Sequence, residues 1–145
     1  MRKAGLVAAA LLAICLTACG ETNYTDGTYQ GRSADYVSEE GEEAGNGYGI
    51  VNLTISGGQI TACEYQTYEL DGTLKGEDYG KENGEIKNKD FFNKAQKARA
   101  ACANYAQQLV AKQNVKVVDA VSGATVNYRE FQEAVDDALK QAAQK

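Results

Sequence analysis

Two adjacent glycines between two runs of extended sequence constrain this chain more than any other feature. From Tyr48 to Ile55 the residues alternate, with Val51, Leu53 and Ile55 on one face and Asn52 and Thr54 on the other. Ser56-Gly57-Gly58-Gln59 interrupts, and Ile60 to Leu70 resumes an extended pattern rich in Thr and Tyr. A period of two with a two-residue glycine turn predicts a β-hairpin. From Asp90, a candidate N-cap, Phe91, Ala95, Ala98, Cys102, Tyr105 and Leu109 recur at steps of three and four. This is an amphipathic helix of about six turns whose stripe packs on the sheet. Asp26 to Gly31 reads as a turn entering a first strand, and Val115 to Val118 as a short apolar strand. Asn127-Tyr128-Arg129-Glu130 has the form of an N-capping box, ahead of a terminal helix with Phe131, Val135, Ala138, Leu139 and Ala142 inside. The order strand, hairpin, helix, strand, helix predicts an α+β domain: a small sheet with a β-hairpin, packed against a long helix and a C-terminal helix.

The 145 residues fit one domain, and 43% hydrophobic content suits a packed one. The chain has no His, so it can supply no Ser-His-Asp triad, no imidazole base and no histidine-ligated metal or haem. With 15 Lys+Arg against 20 Asp+Glu, nucleic acid is not an expected partner.

Met1-Arg2-Lys3 is a short basic start, and Gly5 to Leu16 is almost wholly apolar. The run is shorter than the ~20 residues a spanning helix needs, and reads as a secretory signal. Its end, Leu16-Thr17-Ala18-Cys19-Gly20, resembles a bacterial lipobox: an aliphatic residue three before Cys19 and small residues around it. That resemblance implies cleavage before Cys19 and lipid attachment to its thiol at the outer face of a membrane; the alternative is an ordinary signal cleaved near Ala18. The expected layout is a signal peptide over 1–18, a lipidated tether over 19–24 and a folded domain over 25–145. A five-residue tether from Gly20 to Tyr24 reaches at most ~17 Å. Cleavage removes two basic residues and no acid, so the mature chain is more acidic than the formal −5 of the whole. Cys63 and Cys102 would remain. Their compartment permits a disulfide, but the place of Cys102 on the helical stripe favours two buried thiols.

Asp119-Ala120-Val121-Ser122-Gly123-Ala124-Thr125 is hard to explain by packing. An acid, two small hydroxyl residues and Gly-Ala stand just before a helix, whose free N–H groups and dipole favour a phosphate. Gly123 and Ala124 allow close approach to the backbone, and Thr125 offers a hydroxyl to that phosphate, as a hydrogen bond or an ester. A plain strand-to-helix turn, with Gly123 at positive φ and Ser122 and Thr125 bonding locally, explains the same residues.

This segment and the helix after it resemble the FMN-binding domain family, which includes flavin subunits of the sodium-translocating NADH:quinone reductase and of ferredoxin:NAD oxidoreductase complexes, and surface flavoproteins of extracellular electron transfer. Asp26-Gly27-Thr28-Tyr29, Gly47-Tyr48-Gly49, the hairpin and Asp78-Tyr79-Gly80 look like its compact lipoprotein members. The resemblance implies an FMN joined through its phosphate to Thr125, with Ser122, Gly123 and Ala124 forming the phosphate loop. It implies attachment by a separate flavin transferase acting from FAD with a divalent metal, for which Asp119 is needed. The family often has Ser or Thr two places after the modified Thr; here the residue is Asn127. The implied function is a lipid-anchored electron carrier between a membrane redox donor and an extracytoplasmic acceptor, rather than an independent enzyme. Tyr48 and Tyr79 are candidates for packing near the flavin ring. A flavin-dependent reductase of a small acceptor and a flavin-free, anion-binding surface module are the alternatives.

Overall fold

The computed structural model describes residues 23–39 and 45–143. The basic start, the apolar run and Cys19 lie outside these residues, as does part of the acidic segment between Asp35 and Gly47. Three strands, β1 (Gly27–Arg32), β2 (Tyr48–Ser56) and β3 (Gln59–Tyr68), form an antiparallel sheet in the order β1-β2-β3. The hairpin forms where the alternation places it, and Gly57 and Gly58 take φ of 61° and 74°, the double positive φ of a turn that matches strand twist. Val51, Leu53 and Ile55 face inward and are at most 2% exposed.

Both helices cover that inner face. The first, α1 (Lys89–Lys112), lies against β3, and the second, α2 (Thr125–Ala142), against β1 and β2. Tyr105 of α1 and Phe131 of α2 are both fully buried and stack at 5.7 Å between centroids. The result is a small α+β domain, as the periodicities predict. Cys63 and Cys102 are both free thiols, and burial raises their pKa to about 12 and about 11; thiols so hard to ionise are poor nucleophiles.

Three local expectations need correction. The α1 cap is Asn88, whose side chain accepts from the Phe91 amide at 3.0 Å, and Asp90 lies within the first turn. Val115–Val117 is a 3-10 turn instead of a strand, capped by the Asn114 side chain on the Lys116 amide. Its two buried valines, Val115 and Val118, are three residues apart and so share one side of a 3-10 turn; Val117 is 51% exposed. Finally, α2 starts at Thr125, with Ala124 as a cap that makes no side-chain bond. Asn127 is buried inside the first turn, and its amide donates to the Ala98 carbonyl of α1 at 2.9 Å instead of capping.

Where α2 crosses β1, a Cβ on Gly31 would stand 1.9 Å from the Ala134 carbonyl oxygen and 2.6 Å from the Ala138 nitrogen. Both are helix backbone and cannot swing aside. Gly31→Ala should therefore destabilise the domain by about 2–3 kcal/mol, the upper range for overpacking, as measured by urea denaturation.

Glu130 is 1% exposed, and neither carboxylate oxygen has a hydrogen-bond partner among the described residues. Burial raises its pKa to about 7, against the pull of Lys75 and Arg129. Between an ordinary carboxyl pKa and 7 the unfolded chain has released this proton and the folded one keeps it, so folding loses stability as pH rises through that window. Glu130→Gln fixes the uncharged state. The variant should match wild type near pH 4 and exceed it by about 3 kcal/mol at pH 8, read from urea curves at the two pH values.

Candidate cofactor site

The loop from Asp119 to Ala124 is fastened to α1 from below. The Tyr105 hydroxyl accepts from the Val121 amide at 2.9 Å and donates to the Ala124 carbonyl at 3.1 Å. The Tyr128 hydroxyl donates to the Val118 carbonyl at 2.8 Å, and Tyr65 of β3 donates to the Asn127 carbonyl at 2.6 Å. Three tyrosines thus fix the loop and the first turn of α2, with Gly123 at φ 82° supplying the reversal.

The turn so fixed is open. Because Asn127 points into the protein, the amides of Thr125, Val126 and Asn127 meet no acceptor among the described residues. Thr125 is exposed, and its hydroxyl makes no hydrogen bond among them either. An uncapped helix start with three free N–H groups attracts an anion.

Gly123, Ala124 and Thr125 form one rim of a cleft of about 390 Å³. Its floor is α1, through Phe91, Ala95 and Ala98, and its far wall is Thr67 of β3 with Lys75 and Tyr79 of the following connection. Gln96 laces that connection to α1, donating to the carbonyls of Glu77 and Tyr79 at 3.2 and 2.9 Å. Tyr79 meets Phe91 edge-on at 6.4 Å between centroids, and burial raises its phenol pKa. The charged lining residues are Lys75, Lys94 and Arg99, with no carboxylate among them. A chain of net charge −5 has gathered cations here. A second hollow of about 580 Å³ along β3 and α1 shares Thr67, Lys75 and Arg99 with this cleft but does not touch the loop.

Of the residues singled out in the sequence, the cleft gathers Gly123, Ala124, Thr125 and Tyr79. Ser122 is exposed beside it. Asp119 stands apart, with a side chain 85% exposed and a 2.8 Å ion pair to Lys112, and Gln108 holds both its amide and its carbonyl. Tyr48 lies on the open face of the sheet, stacked on Tyr68 at 5.5 Å under the Arg32 guanidinium. Thr67, Lys75, Lys94 and Arg99 escape sequence reasoning: Lys94 and Arg99 sit on the polar side of α1, Lys75 in a polar connection, and Thr67 among the repeated Thr and Tyr of β3, with nothing local to mark them.

The family model for the FMN-binding domain matches residues 45–140. No curated protein matches the chain. A crystal structure of a Clostridium perfringens protein is similar at a TM-score of 0.57 and 20% identity, over 82% of this chain and 88% of that one. A solution structure of a Clostridium thermocellum protein aligns over 83% and 93% at 21% identity, with a TM-score of 0.43. The residues fit the cofactor that the family model names. Three free amides and the cations suit a phosphate, Tyr79 and Phe91 give a flat aromatic ring apolar surface, and the volume lies in the range of small-molecule sites. The chain belongs to the FMN-binding domain family, and its cofactor is FMN.

Proposed function

We propose that the protein is a lipid-anchored electron carrier whose FMN is esterified to Thr125. FMN supplies reversible transfer of one or two electrons, and the protein supplies attachment, orientation and charge. The observation that carries the reading is the Thr125 hydroxyl: exposed, without a hydrogen-bond partner among the described residues, and at the mouth of a cation-lined cleft under three open amides. Those amides and Lys94 answer the charge of a phosphodiester on Thr125. Lys97 assists from the exposed side of α1, its Nζ lying 3.9 Å from where a Gly123 Cβ would be. Tyr79 and Phe91 exclude water from one side of the cleft. With no His in the chain, outer-sphere electron transfer suits it better than a reaction needing an imidazole acid or base.

In attachment, the Thr125 oxygen bonds to the phosphorus of the FMN half of FAD, the phosphoanhydride breaks, AMP leaves and the hydroxyl proton is lost. Asp119 takes part in attachment through a separate transferase and its divalent metal, a role supported by its exposed carboxylate. Cys19 carries the lipid at the outer face of the cytoplasmic membrane, and electrons pass from a membrane donor to an extracytoplasmic acceptor.

Thr125→Val keeps the side-chain shape and removes the oxygen. With transferase, FAD and magnesium, intact mass should show wild type heavier by FMN less one water and the variant without the addition. Asp119→Ala should leave the fold intact, since it breaks only a surface pair worth about 0–1 kcal/mol, and give little adduct. An addition that persists in Thr125→Val, or maps to Ser122, refutes the linkage.

The anchor has its own test. Cys19→Ala should move the protein from the detergent phase to the aqueous phase, or leave an uncleaved precursor. Unchanged partition of processed protein refutes lipidation.

A further inference from the structure

Lys75 and Glu130 are both buried, at 5% and 1% exposure, and of the two it is Lys75 that lines the cleft. Gly47, just ahead of β2, leaves room for the first, and Gly49 of β2 for the second. A Cβ on Gly47 would stand 2.8 Å from the Lys75 Nζ, and one on Gly49 would stand 3.2 Å from the Glu130 Cβ. The ammonium and the carboxylate lie close enough to act on each other electrostatically. They do not form a close ion pair. The Glu130 oxygens have no hydrogen-bond partner among the described residues, and Lys75 Nζ donates to the Gly45 carbonyl at 3.1 Å and lies 5.1 Å from the Tyr79 centroid. An ammonium has three donors, and Lys75 lines the cleft that Thr125 borders.

We propose that Lys75 sets the electron affinity of the cleft: its ammonium, opposed by Glu130 behind it, favours the more negatively charged, reduced state of a flavin held there. The inference rests on flavin occupying this cleft. A cation within a few ångströms of a desolvated ring stabilises negative charge on it strongly, because little water screens the interaction. Glu130 weakens that field only while ionised, and burial raises its pKa to about 7, so the opposition switches on near neutral pH. The other titratable or charged groups in the field are Glu69 and Tyr79 about Lys75, Arg129, Glu133 and Tyr65 about Glu130, and Cys102 about both. Burial raises the pKa of Cys102, Tyr65 and Tyr79, which leaves them uncharged at neutral pH. Lys75 and Glu130 are the deeply buried ionisable pair.

The test is the midpoint potential of the flavin-loaded full chain, by redox titration from pH 5 to 8.5. Lys75→Met keeps the volume and removes the charge, and should lower the ratio of reduced to oxidised flavin about ten-fold, about 30 mV for a two-electron couple. Lys75→Arg should keep most of the wild-type value. Glu130→Gln should shift the potential upward above pH 7 and coincide with wild type near pH 5. A role limited to packing would let water into the cleft in both variants and move both the same way, whereas the charge argument requires opposite signs. An unchanged potential in folded Lys75→Met, or shifts of one sign, overturns the proposal. If Lys75→Met fails to fold, the pH-dependent difference in Glu130→Gln decides alone, and its absence overturns the proposal. A wild-type chain that takes up no flavin overturns this inference together with the functional reading; bound flavin indifferent to both substitutions overturns this inference only.

Discussion

The cofactor site depends on the hydroxyl of Tyr105, a group with no exposure at all. It bridges two backbone groups of the loop, the Val121 amide and the Ala124 carbonyl. Its ring meanwhile packs on Phe131 and Tyr128 in the core. A buried phenol needs a partner, and a buried loop backbone needs donors and acceptors; here each satisfies the other. The consequence reaches the surface. Once Ala124 is pinned, α2 must start at Thr125, and the hydroxyl and open amides of its first turn are set at the cleft by the centre of the fold rather than by the loop itself.

The uncapped helix start has a second cause. Asn127 has the residue type of a good cap, but its amide is committed to the Ala98 carbonyl, with the Cys102 sulfur at 3.6 Å. A cap would have stabilised an isolated helix by about 1 kcal/mol. Tying the first turn of α2 to α1 instead joins the two helices and leaves the helix dipole unanswered by any side chain. An anionic ligand can supply what the sequence withholds, so the stability of this helix end and the affinity for a phosphate are linked through the same three N–H groups.

The elements legible in the sequence were those whose periodicity is enforced by burial along their whole length. The hairpin and the inner stripes of α1 and α2 read correctly because one register alone hides Val51, Leu53 and Ile55, or Cys102, Tyr105 and Leu109. Short signals failed. Four residues from Val115 to Val118 have an apolar content that a strand and a 3-10 turn share, and only the spacing of the two buried valines separates them. Asn88 and Asp90 both suit a cap, and the competition is settled by the first-turn geometry. The loop was legible because Gly, Ala, Ser and Thr before a helix serve no core. The opposite wall was not: Lys75 lies in a polar connection, and the space for its ammonium is left by Gly47 ahead of β2, a long-range fact that local pattern does not carry.

The placement of the chain's entry bears on how such a domain meets its partners. Tyr24 pairs with Ala143, and the Thr25 amide donates to the Ala142 carbonyl at 2.8 Å, so the N-terminal segment joins the fold at the C-terminal end of α2. Thr125 is at the other end of the same 18-residue helix, which at 1.5 Å per residue is ~27 Å long. The hairpin turn lies at the entry end, where the Gly58 amide donates to Asp26, while Gly47 and the cleft lie at the far end of β2. If Cys19 is acylated as proposed, the domain is held to the bilayer by the end opposite Thr125. The rigid helix then sets the Thr125 hydroxyl and its open amides a helix length from the point where the N-terminal segment joins the fold, a separation fixed by α2 itself and not by any loop.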